Sequence, residues 1–177
     1  MNLIEKYNQE SQLKNITETL ESFSEQTLYN FTFNPHVRSI NEIYDIMDKV
    51  QELQSAISNI KRRALKEELL INLCLKEANN EYNKLYDKYL LEIKQEEQLK
   101  NIKEKESFIR NKLFDEKIFE LVNFFEKKEL KIKNLLKRID TFIDEIKEIN
   151  DKVSRKITLM QLQKDLGTLV DLNLKNK

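Results

Sequence analysis

The sequence predicts an all-α protein: a long antiparallel helical hairpin or coiled coil, preceded by a short N-terminal helix, that associates with itself. The 177 residues include one Gly and one Pro, so the residues on which tight turns and bulges depend are almost absent. Charged residues make up 35% of the chain and hydrophobic residues 40%, and abundant Glu, Lys, Leu and Ile favour helix. Hydrophobic residues also recur at heptad spacing over most of the chain.

The N-terminal region, residues 1–38, is predicted to hold one short helix and an extended segment. Apolar residues at helical spacing predict the helix over about residues 10–24. They are Leu13, Ile16, Leu20 and Phe23. Residues 27–33 are rich in aromatic and β-branched side chains, which favour an extended chain, and the turn sequence Asn34-Pro35-His36 ends it.

The central region, residues 39–166, is predicted to be the helical hairpin. Ser39 and Glu42 have the spacing of a capping box, so the first long helix starts there. One row of its heptads is apolar: Ile43, Val50, Ile57, Ala64, Ile71, Ala78 and Leu85. The other row runs from Ile40 to Tyr89 and is polar in its middle: Gln54, Lys61 and Glu68. This polar stretch lies next to solvent, contacts a partner or fixes the register.

A turn is predicted near residues 94–106, where apolar positions become sparse; a continuous helix is the alternative. Beyond it, regular heptads predict a second long helix. Its expected core and self-association residues are Ile118, Phe125, Ile132, Ile139, Phe142, Ile146, Ile149 and Val153. Leu136 and Ile143 widen the apolar face, so we expect more than one helix to cover it and the protein to form a homo-oligomer.

The C-terminal region, residues 167–177, is predicted to be an extended tail. Gly167 follows Leu166 at the position of a helix C-cap, because glycine adopts the left-handed conformation easily. Apolar residues then alternate with polar ones from Val170 to Leu174. The tail either pairs as a strand, with residues 27–33 or with a neighbouring subunit, or it is frayed.

The sequence predicts no catalytic site, metal site, cofactor or small-molecule substrate. His36 is the one histidine and Cys74 the one cysteine; Cys74 is interpreted as a buried apolar residue. Helical di-metal sites require Glu-x-x-His motifs, which the chain lacks, so its carboxylates, Glu67 among them, are interpreted as solvated partners of lysines. One glycine cannot build a phosphate-binding loop. We therefore do not expect an enzyme.

We also expect a cytoplasmic protein with no membrane partner. No segment approaches the run of about 18 apolar residues that spans a bilayer. The first twenty residues contain several charged side chains, whereas a signal peptide needs an apolar stretch. A single cysteine fits a reducing compartment.

Two basic clusters could follow a nucleic-acid backbone, since the net charge of zero leaves local patches possible. One covers residues 61–66 and the other residues 127–138, and a turn near residue 102 would bring them within about two helical turns. Three tyrosines offer faces on which bases could stack: Tyr82, Tyr86 and Tyr89. The alternative interpretations are a solvated basic surface and tyrosines that pack in the core.

Four consecutive features of the chain carry a family resemblance. They are the segment from Ala78 to Leu90, the polar break, the Glu106–Arg110 segment and the long heptad helix ending near Arg155-Lys156. In these features the chain resembles the phage recombination-mediator family. Its members are small oligomeric helical proteins that bind single-stranded DNA and help load a recombinase. The resemblance covers about residues 60–165 and implies single-stranded DNA and a recombinase as partners. The DNA-contacting residues it implies are Lys61, Arg62, Arg63, Lys103, Lys105, Arg110, Arg155 and Lys156. The basic clusters add Lys131 and Lys133.

Two functional hypotheses follow. The first is a phage-encoded accessory protein of recombination or replication that binds single-stranded DNA or a DNA-processing partner. The alternative is a coiled-coil scaffold or adaptor, such as a virion assembly component, that binds no nucleic acid. Salt-sensitive binding of single-stranded DNA separates them, because phosphate contacts release counterions.

Overall fold

The computed structural model describes residues 2–23, 39–95 and 101–175, and every regular element within them is an α-helix. The helices are α1 (Leu3–Glu10), α2 (Leu13–Phe23), α3 (Ile40–Gln95), α4 (Ile102–Asp115) and α5 (Ile118–Lys175). The all-α prediction is therefore confirmed for these residues. The extended segment predicted at residues 27–33 lies outside them.

The helices belong to two compact units. Unit 1 comprises Met1–Lys14 and Arg63–Leu135, and unit 2 comprises Asn15–Arg62 and Leu136–Lys177. Helices α3 and α5 contribute residues to both units. Each unit thus combines segments that are far apart in the chain.

Two helices occupy the N-terminal region where a single helix was predicted. Helix α1 begins with a capping box, in which the Asn2 side chain accepts a hydrogen bond of 2.8 Å from the Glu5 backbone N–H. It ends at Glu10, because Ser11 takes an extended conformation with ψ 134° while its N–H still donates to the Tyr7 carbonyl. The apolar spacing used for the prediction begins at Leu13, so it found α2 and missed α1.

Helix α3 buries one face along most of its length. Its start matches the prediction, since the Glu42 backbone N–H donates to Ser39 Oγ at 3.1 Å. The apolar heptad row is buried from Ile43 to Ala78. The second buried row is not the one predicted but lies one residue earlier: Leu53, Ile60, Glu67 and Cys74. Gln54, Lys61 and Glu68 are half-buried at the margin of this face, where polar ends can reach water.

Helix α5 supplies the most regular part of the core. Six residues of its first heptad row are buried: Ile118, Phe125, Ile132, Ile139, Ile146 and Val153. Phe142 and Ile149 are half-buried. In unit 2 the ring centroid of Phe142 lies 6.0 Å from that of Phe23. This heptad row was expected both to form the core and to mediate self-association. Contacts within one chain are enough to bury its six residues.

The helical pattern breaks twice between α3 and α5. Helix α3 ends at Gln95, inside the region predicted to turn, but α4 begins already at Ile102, where the Asn101 side chain caps it by accepting from the Glu104 N–H at 2.8 Å. A second break, which was not predicted, separates α4 from α5. There Lys117 takes a left-handed conformation with φ 57°, which allows the chain to leave one helix and start another.

The prediction of an extended tail was wrong for residues 167–175. Helix α5 continues through Gly167 to Lys175, and Gly167 does not have a positive φ, so it is not a C-cap. The alternation from Val170 to Leu174 also fits a helix, because Leu166, Val170 and Leu174 are spaced by four. Five residues are too few for the apolar period to separate strand from helix.

Candidate nucleic-acid interface

Three helices of unit 1 form a groove with an aromatic wall and one cation. The groove has a volume of about 280 Å³. We call it the aromatic groove, and its side walls are Tyr82, Tyr86, Glu106, Arg110 and Phe119. The two tyrosines come from α3, four residues apart, Glu106 and Arg110 come from α4 with the same spacing, and Phe119 lies at the start of α5.

The aromatic side chains pack against each other. The ring centroids of Tyr82 and Tyr86 are 6.3 Å apart with an interplanar angle of 22°, and those of Tyr82 and Phe119 are 5.8 Å apart. Tyr82 is half-buried, whereas Tyr86 is 39% and Phe119 42% exposed. The groove therefore presents ring surface to solvent on a support that is already packed, which lowers the entropic cost of binding a flat ligand.

A buried cluster below the groove fixes the three helices. Its members are Tyr89, Ile93, Ile109, Leu113 and Ile118. The Tyr89 hydroxyl donates a hydrogen bond of 2.8 Å to the Glu116 carboxylate, and this bond, together with burial, raises the pKa of Tyr89 above its ordinary value. Of the three tyrosines considered for stacking, Tyr89 is therefore a core residue.

Helix α4 carries three of the predicted DNA-contacting residues. Lys103, Lys105 and Arg110 are all exposed. Only Arg110 lines the aromatic groove. Lys103 precedes Arg110 by two helical turns and shares its side of the helix, whereas Lys105 points to another side.

The remaining predicted DNA-contacting residues are divided between the two units. Lys131 and Lys133 are exposed in unit 1, and Lys133 donates to Glu129 at 3.2 Å. Arg63 is half-buried in unit 1. Unit 2 holds the other four: Lys61, Arg62, Arg155 and Lys156. Each basic cluster read from the sequence is thus divided between the two units.

Two of the unit 2 cations have partners within the chain. Lys61 Nζ lies 2.8 Å from an Asp140 carboxylate oxygen. The Arg62 guanidinium donates to the Asn59 side chain, also at 2.8 Å. Arg155 is exposed and Lys156 half-buried. The neutralised charge of Lys61 makes it a weaker phosphate ligand than the sequence alone indicates.

A second polar site, centred on Glu67, is buried in unit 1. Glu67 is 3% exposed, and its carboxylate accepts hydrogen bonds from the Tyr7 hydroxyl at 2.8 Å, the Ser11 hydroxyl at 2.5 Å and the Gln12 backbone N–H at 2.9 Å. The interpretation of Glu67 as a solvated partner of lysines was wrong. Its position in the buried row between Ile60 and Cys74 is the signal that could have revealed it.

The Glu67 site is structural. Its three donors come from the N-terminal segment of the same unit, and the Tyr7 ring packs edge-on against Phe125 with centroids 5.5 Å apart. Burial raises the pKa of Tyr7 well above its ordinary range. The network attaches the N-terminal residues to α3.

A larger groove runs beside α1 and reaches Cys74. It has a volume of about 410 Å³ and is lined by Leu3, Lys6, Glu10 and Leu73 among others. Cys74 is buried, as predicted. Burial raises the pKa of its thiol, and a thiol held protonated is a poor nucleophile.

Within residues 2–23, 39–95 and 101–175, no group of three or more His, Cys, Asp or Glu side chains has the arrangement of a metal site. His36 lies outside these residues. Among the helices that the structure describes, none is both long and apolar enough to cross a bilayer.

Comparison of the chain with protein-family models, with curated proteins and with solved structures finds no match. The aromatic groove and its surroundings are therefore interpreted from their own chemistry.

Proposed function

We propose that this protein is a non-enzymatic helical accessory protein that binds single-stranded DNA through the aromatic groove of unit 1. The observation that carries the proposal is the placement of Arg110 beside Tyr82, Tyr86 and Phe119 in one groove. Single strands bind such surfaces when bases stack on aromatic rings and a cation contacts the backbone. Stacking accepts every base, so we expect little sequence preference.

The phosphate contacts in this proposal come from one side of α4. Arg110 lies in the groove, and Lys103 continues the same side of the helix toward its N-terminus. Two such contacts neutralise two phosphates of a strand whose base occupies the groove. Glu106 lies one helical turn before Arg110 on the same side of α4 and lines the same groove, so its carboxylate lowers the excess of positive charge there.

The scaffold in this proposal is an antiparallel helical hairpin in unit 1. Two contacts support the antiparallel direction. Tyr82 packs against Phe119. Tyr89, which follows Tyr82 on α3, donates a hydrogen bond to Glu116, which precedes Phe119 in the chain. Moving forward on α3 thus corresponds to moving backward toward the start of α5. A hairpin of this kind holds the groove on rigid elements, as a stacking platform requires.

The partner in this proposal is a DNA-processing protein of the cytoplasm, with a recombinase as the first candidate. The support is the resemblance of residues 60–165 to the phage recombination mediators. The groove itself supports the DNA-binding half of the proposal.

The test is a titration of a fluorescently labelled single-stranded oligonucleotide with the full chain, followed by anisotropy. Two phosphate contacts predict a loss of affinity of about 7-fold between about 50 and about 200 mM salt. Loss of one stacked base is worth about 1–3 kcal/mol, so Tyr86→Ala is expected to weaken binding about 5-fold or more. Tyr44→Ala, at a similarly exposed tyrosine of α3 in unit 2, is the matched control.

A pair of arginine variants separates a groove from diffuse charge attraction. Arg110→Gln is expected to weaken binding and to flatten its salt dependence, whereas Arg155→Gln is expected to leave both unchanged. Equal effects of the two variants would contradict the groove while retaining DNA binding. No binding of wild-type protein at the lower salt concentration would contradict the function itself.

A second candidate function is assembly without nucleic acid, as a coiled-coil scaffold or adaptor. It is favoured by the exposed leucines at the end of α5, which the DNA-binding proposal does not use. The anisotropy titration distinguishes the two, because a scaffold gives no salt-sensitive signal.

A further inference from the structure

The last part of α5, residues 159–175, carries an apolar surface that is exposed to solvent. Every residue from 161 to 175 is exposed. Seven apolar side chains in the segment keep between 51% and 66% of their surface accessible. They are Leu159, Leu162, Leu166, Leu169, Val170, Leu172 and Leu174. Isolated exposed leucines are ordinary, but a continuous set on one helix marks an interaction surface.

This surface does not continue the face that packs inside unit 2. The internal row passes through Ile146 and Val153 to Met160, and then reaches Gly167. The neighbouring heptad row holds Ile157 and then two charged residues, Lys164 and Asp171. At about 100° per residue, Leu166 lies about 140° around the helix from Val153. The internal face therefore becomes polar where a second apolar face begins, so a different partner must cover the second face.

The spacing on this second face is that of a coiled-coil seam. Leu159, Leu162, Leu166 and Leu169 follow each other by three, four and three residues, which are the two inward positions of consecutive heptads. The next inward position is Asn173. An asparagine at such a position fixes register by pairing with the same residue of another chain. We call residues 159–173 of this face the leucine seam.

The charges around the leucine seam favour a second copy over other partners. Lys164 and Lys175 are balanced by Asp165 and Asp171, so two copies do not repel each other. Helices that lie on membrane surfaces are rich in Lys and Arg and carry Trp or Phe on the apolar face. This segment has no aromatic residue and no net charge.

We propose that the leucine seams of two copies of this chain pair to form a homodimer. The apolar area they would bury is on the order of 1,000 Å² in total, near the lower limit for a specific interface, so the dimer is reversible. The surface lies in unit 2 and the aromatic groove in unit 1. The proposal therefore does not rest on DNA binding, and it assigns self-association to residues that were predicted to be an extended tail.

The test is the molar mass of the full chain, measured by sedimentation equilibrium from about 1 to about 300 μM, the range in which an interface of this size dissociates. We expect wild-type protein to pass from monomer to dimer. Leu162→Glu/Leu166→Glu places two charges in the seam and is expected to remain monomeric throughout. Leu69→Glu/Leu73→Glu is the matched control, since these leucines have the same spacing and similar exposure on α3; it is expected to dimerise like the wild type.

Circular dichroism of each variant checks that the fold is retained, which is expected because both leucine pairs are exposed. Wild-type protein that stays monomeric at the highest concentration would overturn the proposal, as would a Leu162→Glu/Leu166→Glu variant that dimerises normally. A monomeric wild type that loses thermal stability on this substitution would show that another segment of the same chain covers the seam. A monomeric wild type that binds anionic lipid vesicles through the seam would assign it to membranes.

Discussion

The hydroxyl of Tyr7 donates a hydrogen bond of 2.8 Å to the carboxylate of Glu67, 60 residues further along the chain. The same carboxylate accepts from Ser11 and from the Gln12 backbone, so one buried anion organises the junction of α1 and α2. A buried carboxylate is stable only when its hydrogen-bonding capacity is filled. The N-terminal residues of unit 1 therefore depend on a side chain of α3.

Removing this anion is expected to destabilise unit 1. Glu67→Ala removes the acceptor of three hydrogen bonds, one from the buried Tyr7 hydroxyl and two that are partly buried, and we expect the free energy of unfolding to fall by about 3 kcal/mol. Tyr7→Phe removes one donor but keeps the ring against Phe125, and we expect a loss of about 1–2 kcal/mol. Urea denaturation followed by circular dichroism measures both. Glu68→Ala, at the half-buried neighbour, is the control, and a loss equal to that of Glu67→Ala would contradict the role of the network.

The pKa of Tyr7 predicts how stability changes at high pH. Burial raises this pKa above its ordinary value of 10.0, so the folded protein keeps a proton that the unfolded chain releases. The contribution of Tyr7 is complete below pH 10 and is lost as pH rises toward the pKa of the folded state, at up to about 1.4 kcal/mol per pH unit. Between about pH 10 and 11, Tyr7→Phe is expected to lose less stability than the wild type. Parallel pH profiles of the two proteins would contradict this.

The left-handed conformation of Lys117 predicts a stabilising substitution. A residue with a Cβ at φ 57° is less stable than glycine there by about 1 kcal/mol. We expect Lys117→Gly to raise the midpoint of thermal unfolding. Asn111→Gly, at an exposed position inside α4, is expected to lower it, because glycine destabilises a helix interior. Similar shifts for the two variants would show that Lys117 is not strained.

A substitution at Gly167 tests whether the C-terminal residues are helical or extended. In α5 an added Cβ would meet no atom within 4 Å, so Gly167→Ala is expected to stabilise the last turns by about 1 kcal/mol. Helicity by circular dichroism and slower hydrogen exchange in residues 161–175 measure the gain. Gln163→Gly is expected to have the opposite effect. A loss of helicity in Gly167→Ala would instead indicate a left-handed cap at this position.

Several features of the fold could be read from residue order. The single Gly and Pro excluded turn-rich folds, and the rows from Ile43 to Ala78 and from Ile118 to Val153 were identified because heptad spacing places them on one face of a helix. Tyr82 and Tyr86 were named as binding candidates from their chemistry, and Arg110 from the resemblance to the phage recombination mediators. Their grouping was not foreseeable, because it depends on α4, a helix that the sequence pattern did not reveal.

The sequence by itself determined that the chain is helical and which faces of its long helices are apolar, since both follow from local propensity and spacing. Only the tertiary structure decided that Glu67 is buried, because its three partners lie in a segment more than 50 residues away. The structure also shows that α5 continues past Gly167, where the local pattern fits either conformation. Glu67 could not be predicted because a buried polar group is fixed by partners distant in the chain, while helix interiors are fixed by neighbours within two turns.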